Sequence, residues 1–226
     1  MPIAIFLRTS KTHSLYRDAI IHSLATGVGT HALICSGFFQ ENKGTPKGKS
    51  TYQASLEPGF IAALKKNKIQ LDTIGIHNKA WMPSYINFYN NLKNNGVKIT
   101  PYIMKKFQWH AKVFLLKHNE EPIFGIIGSS NLTANAFGVS NNPALPTDSP
   151  HPPNAFNYEC DIYLWSKKYP KLTKEIKKLI TNEHTKKQII ITKYKKQDNY
   201  NISIETRLSN IEKEILTSPG IEKITI

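Results

Sequence analysis

Cysteine is scarce: Cys35 and Cys160 are the only two among 226 residues. Two cysteines cannot form the disulfide framework of a small secreted domain, and no His, Cys, Asp and Glu spacing suits a metal. Each stands in an apolar segment, so the expectation is a pair of buried free thiols, with no metal and no cofactor. Long hydrophobic runs are also missing. No stretch approaches the ~18 apolar residues of a membrane-spanning helix. Met1–Arg8 is too short for a secretory leader and reads as a first strand. These absences predict a soluble, cytoplasmic protein with no membrane partner. Acidic residues are few as well, 16 against 30 Lys and Arg, for a formal net charge of +14. Split at residue 100, the first part carries 12 basic and 4 acidic residues and the remainder 18 and 12. A polyanion is the natural partner for such a chain, the alternative being a compositional bias towards solvated lysines.

What is present is an alternation of strand-like and helix-like segments. Strands are predicted at the N-terminus, 31–36, 71–77 and 97–103, with helices at about 13–25, 56–66 and 84–94 between them. That order implies an α/β layered domain with a central mixed, largely parallel sheet flanked by helices. A loop from Gly37 to Tyr52 mixes Gly, Lys and aromatics. Its Lys43, Lys47 and Lys49 are candidates to hold phosphates and Tyr52 to stack on a base. Trp81, Tyr85, Phe88, Tyr89 and Leu92 recur at helical spacing, which favours core packing over an exposed stacking surface. Residues 138–154 contain five prolines and read as a loop, and Tyr158–Trp165 alternates as a further strand. His151, among those prolines, reads as incidental. An amphipathic helix at about 170–180 closes a domain spanning residues 1–184. Residues 185–226 follow as a small C-terminal appendage.

Chemistry concentrates at residues 107–131. Alternation along a strand puts His110 and Lys112 on one face. The apolar runs Val113–Leu116 and Ile123–Ile127 read as two buried strands, with His118–Pro122 connecting them. Gly128 permits a sharp turn, Ser129 and Ser130 offer N-cap hydroxyls, and Asn131–Ala136 can start a helix whose N-terminus suits a phosphate. His-x-Lys alone means little. With 8 His and 27 Lys (30 basic residues less Arg8, Arg17 and Arg207), chance supplies about one such tripeptide. The chain has three, and His77-Asn-Lys79 and His184-Thr-Lys186 lack the flanking strands and turn.

Taken in order, His110-x-Lys112, Gly128-Ser129-Ser130-Asn131 and Asn157-x-Glu159 resemble the signature of the phospholipase D superfamily. The form is the single-copy one of its small bacterial nucleases and metal-independent restriction endonucleases. Two departures stand out: Lys117 occupies the position of the usual Asp, and the hairpin before Gly128 is longer. The resemblance covers about residues 1–165 and implies that the domain spanning residues 1–184 is a phospholipase D-like catalytic domain. His110 is then the nucleophile that forms a phosphohistidine, and Lys112 and Asn131 bind the non-bridging oxygens. Ser129 orders the turn or the phosphate, and Glu159 accepts a hydrogen bond from the imidazole. One constellation supplies one histidine, so the resemblance also implies a homodimer with both copies meeting at one site.

The function expected is a metal-independent DNA endonuclease of a restriction or defence system, a class compatible with a recognition or methyltransferase partner. Three alternatives stand beside it: an RNA nuclease, a lipid phosphodiesterase of the same superfamily, and a catalytically silent nucleic-acid-binding subunit in which Lys117 marks a decayed site.

Overall fold

One nine-stranded sheet organises the chain. The computed structural model describes residues 2–8, 15–41, 52–76, 78–105, 112–137 (Asn135 by its backbone alone), 159–182 and 186–224. In chain order the elements are β1 (Pro2–Arg8), α1 (Leu15–Ala25), β2 (His31–Cys35), α2 (Phe60–Lys66), β3 (Gln70–Ile76), α3 (Met82–Asn94), β4 (Ile99–Met104), β5 (Val113–His118), β6 (Glu121–Gly128), α4 (Ala134–Phe137), β7 (Glu159–Trp165), α5 (Pro170–Ile180), β8 (Ile189–Lys193), α6 (Ile204–Thr217) and β9 (Ile221–Lys223). The strand order across the sheet is β8-β1-β7-β6-β5-β2-β3-β4-β9.

The α/β class and the mixed sheet agree with the alternation in the sequence, but the share of parallel pairing is smaller than expected. Only β2–β3 and β3–β4 are parallel, and the other neighbouring pairs are antiparallel. The reason is that β1 does not pair with β2. The β5–β6 hairpin and β7 stand between them, so the first β-α-β unit spans the sheet instead of forming adjacent strands.

Hydrophobic alternation fills both faces. On β5, Phe114 and Leu116 join the larger core with α1, α2, α3 and α5, while Val113 and Leu115 face the smaller core under α6. A strand buried on both faces needs an unbroken apolar run, and Val113–Leu116 supplies it. The hairpin turn is tighter than the sequence implied: Asn119 and Glu120 take φ of +46° and +68°, a two-residue turn with both central residues left-handed. The second helix starts later than expected. Pro58 and the left-handed Gly59 (φ +83°) separate a short 3-10 turn at Ala54–Leu56 from α2. Cys160, expected to be buried, is exposed on the outward side of β7, whereas Cys35 is buried. Tyr85, Phe88, Tyr89 and Leu92 of α3 are core residues, and Trp81 is not.

Residues 186–224 are joined to the sheet at both edges, β8 alongside β1 and β9 alongside β4. Between them, α6 lies over β6, with Leu208 filling the space left by Gly125, where an added Cβ would meet Leu208 Cδ2 at 2.7 Å. Lys117 is buried beneath the same helix and pairs with Glu212 at 2.7 Å and Glu120 at 3.0 Å. It sits four residues along β5 from Val113, ~13 Å from the strand end that meets Lys112. Its role is to anchor α6, remote from the chemistry-bearing corner. Leu208→Ala should open a cavity against Gly125 and cost about 2–5 kcal/mol. The check is urea unfolding followed by circular dichroism, with a single transition at a lower midpoint expected.

Candidate active site

The adjacent ends of β6 and β7 form the corner that carries Ser129, Ser130 and Asn131. Gly128 pairs with Asp161 across the two strands. No side chain fits there, because a Cβ on Gly128 would overlap the Asp161 carboxylate and lie 2.5 Å from the Cys160 carbonyl oxygen. The chain then turns, and Ser129 N–H donates to Cys160 O at 3.1 Å while Cys160 N–H donates to Ser129 Oγ at 2.9 Å. Ser129 Oγ in turn donates to Glu159 Oε2 in a very short contact. Ser130 donates through Oγ to Asp161 Oδ2 at 2.6 Å and through its N–H to Oδ1 at 3.3 Å. The serine hydroxyls expected to cap a helix are thus engaged by carboxylates. The helix that follows, α4, is a single turn beginning at Ala134, with Ala136 N–H bonded to Thr133 Oγ1 at 3.4 Å.

Asn131 is held from the other side of the corner. Its Oδ1 accepts from Phe38 N–H at 3.2 Å, and because a backbone N–H can only donate, that atom is the carboxamide oxygen. Ser36 Oγ lies 3.2 Å from the same oxygen and 2.8 Å from Phe38 O. The Nδ2 end of Asn131 is the donor end left over by these contacts. Lys112 converges on the same place. A Cβ on Gly37 would be 3.3 Å from Asn131 Oδ1 and 3.9 Å from Lys112 Cε, so the two side chains lie within the sum of those distances of each other.

Electrostatics follows from burial. Arg8 is buried and stands opposite Glu159 in the β1–β7 register. Desolvation lowers its pKa, and Glu159 and Asp161 oppose that loss. Burial likewise lowers the Lys112 pKa, with Glu159 acting in the opposite direction. Asp161 is nearly inaccessible, and burial lifts its carboxyl to about 6 against the hydrogen bonds from Ser130. Above it, Tyr16 and Tyr163 are fully buried, and burial raises both phenols. The corner therefore combines an ammonium and an amide donor at its mouth with a carboxylate pair and a guanidinium beneath. Such a set can bind a phosphate's non-bridging oxygens and orient a base.

Lys112, Ser129, Asn131 and Glu159 are brought to one corner, as the sequence pattern requires. His110 lies outside the described residues, as do Lys43, Lys47, Lys49, Asn157, the 138–154 loop and the other histidines weighed above, His77, His151 and His184. Glu159, expected to pair with the imidazole, has Ser129 as its described hydrogen-bond donor. Tyr52 is turned to another task, its hydroxyl donating to Glu57 at 2.9 Å, with Arg17 Nε on the same carboxylate at 2.6 Å. Sequence reasoning missed Asp161, Arg8 and Ser36. Asp161 was within reach, since it stands two residues after Glu159 and shares its strand face. Ser36 carries no such signal.

Two outcomes follow. Gly128→Ala should lose about 1–3 kcal/mol through overpacking against backbone, read from its urea midpoint. Asp161 has a folded pKa above its unfolded value near 3.8, so the native state binds more protons between the two. Its contribution is intact below pH 4, declines as pH rises, and is at its least favourable above pH 6. Relative to Asp161→Asn, the wild type should lose on the order of 3 kcal/mol of stability between pH 4 and pH 7. Denaturant titrations of both proteins at the two pH values measure that difference.

Residues 73–162 match a protein-family profile, the NgoFVII restriction endonuclease N-terminal PLD domain. No curated protein sequence matches the chain. Among solved structures it is similar to Nuc from Salmonella typhimurium, a phospholipase D family member, at 15% identity over 86% of this chain and 100% of the other, with a TM-score of 0.42. A yeast tyrosyl-DNA phosphodiesterase variant gives 13% identity over 74% of this chain and 48% of the other, with a TM-score of 0.43. The archaeal chromatin protein TrmBL2 gives 10% identity over 77% and 50%, with a TM-score of 0.35. The chain thus spans about half the length of the last two. The profile match takes in Lys112, the Gly128–Asn131 corner and Glu159, and over those residues the chain is similar to the phospholipase D domain of that family.

Proposed function

We propose that this protein is a metal-independent nuclease of the phospholipase D type, a DNA endonuclease serving a restriction or defence system. The observation that carries the reading is the orientation of Asn131. The Phe38 N–H holds its oxygen, which leaves Nδ2 as the donor end of a carboxamide whose neighbour across Gly37 is Lys112, and an ammonium with an amide donor is what an anionic phosphodiester needs. A net charge of +14 favours a polyanionic substrate over a neutral or zwitterionic surface. Among the described residues no helix is long and apolar enough to cross a membrane. The family matched by residues 73–162 is named for a restriction endonuclease, which supports DNA as the substrate.

In this reading His110 attacks phosphorus while Lys112 and Asn131 hold the non-bridging oxygens. The P–O bond to the leaving oxygen breaks, and a proton from the second His110 of a homodimer neutralises that oxygen. Water then attacks the phosphohistidine, and the same second histidine accepts its proton. Glu159 fixes the imidazole tautomer, while Ser129 fixes Glu159. Charge neutralisation comes from side chains, which is why no divalent cation is required. A cytoplasmic location and a recognition or methyltransferase partner accompany the proposal.

Plasmid and single-stranded DNA should be cut in excess EDTA, and His110→Ala should abolish cutting. Asn131→Ala should slow it by ~10²- to 10³-fold, the usual cost of losing one transition-state donor. Cutting that needs added magnesium, or that survives His110→Ala, would reject the mechanism. Sedimentation should give a dimer, and a fully active monomer would reject the shared site.

A further inference from the structure

Phe38 and Phe39 follow β2 and differ in burial and in ring neighbours. Phe39 is buried, its ring 4.8 Å from both Tyr85 and Phe88, so it meets the core's need for an aromatic at this edge. Phe38 is only half-buried and its neighbour is Trp81, with ring centroids 5.7 Å apart at an interplanar angle of 53°. Trp81 sits on the turn ahead of α3 and is 37% exposed. Lys79, two residues earlier on that turn, is also exposed.

The position of this pair gives it meaning. The backbone N–H of Phe38 donates to the Asn131 oxygen, and the preceding Gly37 lies close to both Asn131 and Lys112. The aromatic pair is therefore tied to the candidate phosphate corner through the backbone of Phe38. A large, partly exposed aromatic surface beside a cation and an amide donor matches the two halves of a nucleotide, a flat base and a charged phosphate. The net charge of +14 favours a polyanionic strand over a zwitterionic phospholipid, whose acyl chains also need an extended apolar surface. A base lies flat on such a ring where the helical stack is broken, which a single strand supplies without the cost of unstacking a duplex.

We propose that Phe38 and Trp81 form a stacking platform for an unpaired nucleobase next to the phosphate held by Lys112 and Asn131. This deepens the nuclease reading and rests on it for the phosphate half of the site. The substrate segment that enters the corner is then single-stranded or locally melted, and a continuous duplex must open at the cut.

The test uses the full chain with His110→Ala, so that the nucleic acid stays uncut, and fluorescence anisotropy of labelled single-stranded DNA, RNA and duplex DNA of one sequence. Trp81→Ala in that background should weaken single-strand binding roughly fivefold to hundredfold, with Trp81→Phe retaining most of the affinity. An abasic site scanned along the strand should weaken binding at one position when Trp81 is present and have little effect there when it is absent. The same dependence with RNA supports the platform and identifies the preferred sugar. Should Trp81→Ala not fold, Trp81→Leu, which keeps an apolar contact with Phe38 without the flat ring, reads the same loss. Undiminished single-strand affinity, or abasic losses indifferent to Trp81, overturns the platform. Trp81-dependent binding without any cleavage by the protein carrying His110 keeps the platform and rejects the nuclease reading. Absence of binding to every oligonucleotide rejects both.

Discussion

The antiparallel pairing of β6 with β7 is the constraint from which the site follows. It sets Gly128 against Asp161 and lets the next two residues reach two carboxylates in succession, Ser129 to Glu159 and Ser130 to Asp161. Neither serine is free to choose another rotamer without leaving a buried acceptor unsatisfied. The turn is therefore held by side chains that are themselves held by a sheet, and Asn131 emerges from it in one orientation. Arg8, on the strand beyond β7, supplies the positive charge that makes burying two carboxylates tolerable.

A second frame meets the first at Asn131. The segment leaving β2 carries Ser36, Gly37 and Phe38, and it reaches the corner because β2 pairs with β5, which pairs with β6. Residues some 95 positions apart in sequence thus share one oxygen atom. Binding geometry here depends on the register of four strands more than on any loop.

The strands and helices were largely legible because their signals are local. Unbroken apolar runs marked β5 and β6, alternation marked β7, and helical spacing marked α3 and α5. The candidate site positions were picked out for a different reason, the ordered pattern of Lys112, Gly128–Asn131 and Glu159, which the fold gathers at one corner. What could not be read was pairing. Nothing local says that β1 joins β7 and not β2, so the proportion of parallel strands was overestimated. The same gap hid Arg8 and Ser36, whose roles exist only through strands distant in sequence, and it misjudged Cys160, whose segment is apolar but whose face of β7 is open. Lys117 reads in sequence as a gap in the motif, and in space as the anchor of α6.

The segment after α5 supplies both outermost strands of the sheet. Such an arrangement ties assembly to chain synthesis. Until β8 and β9 emerge, β1 and β4 each present an open row of backbone donors and acceptors to the surroundings, and β6 lacks its cover of α6. The two clasping strands bond to partners from the first and fourth positions of the chain's strand sequence, contacts of very long loop length that form late. A fragment containing the whole candidate corner but ending before β8 is therefore still an unfinished sheet, open at both edges.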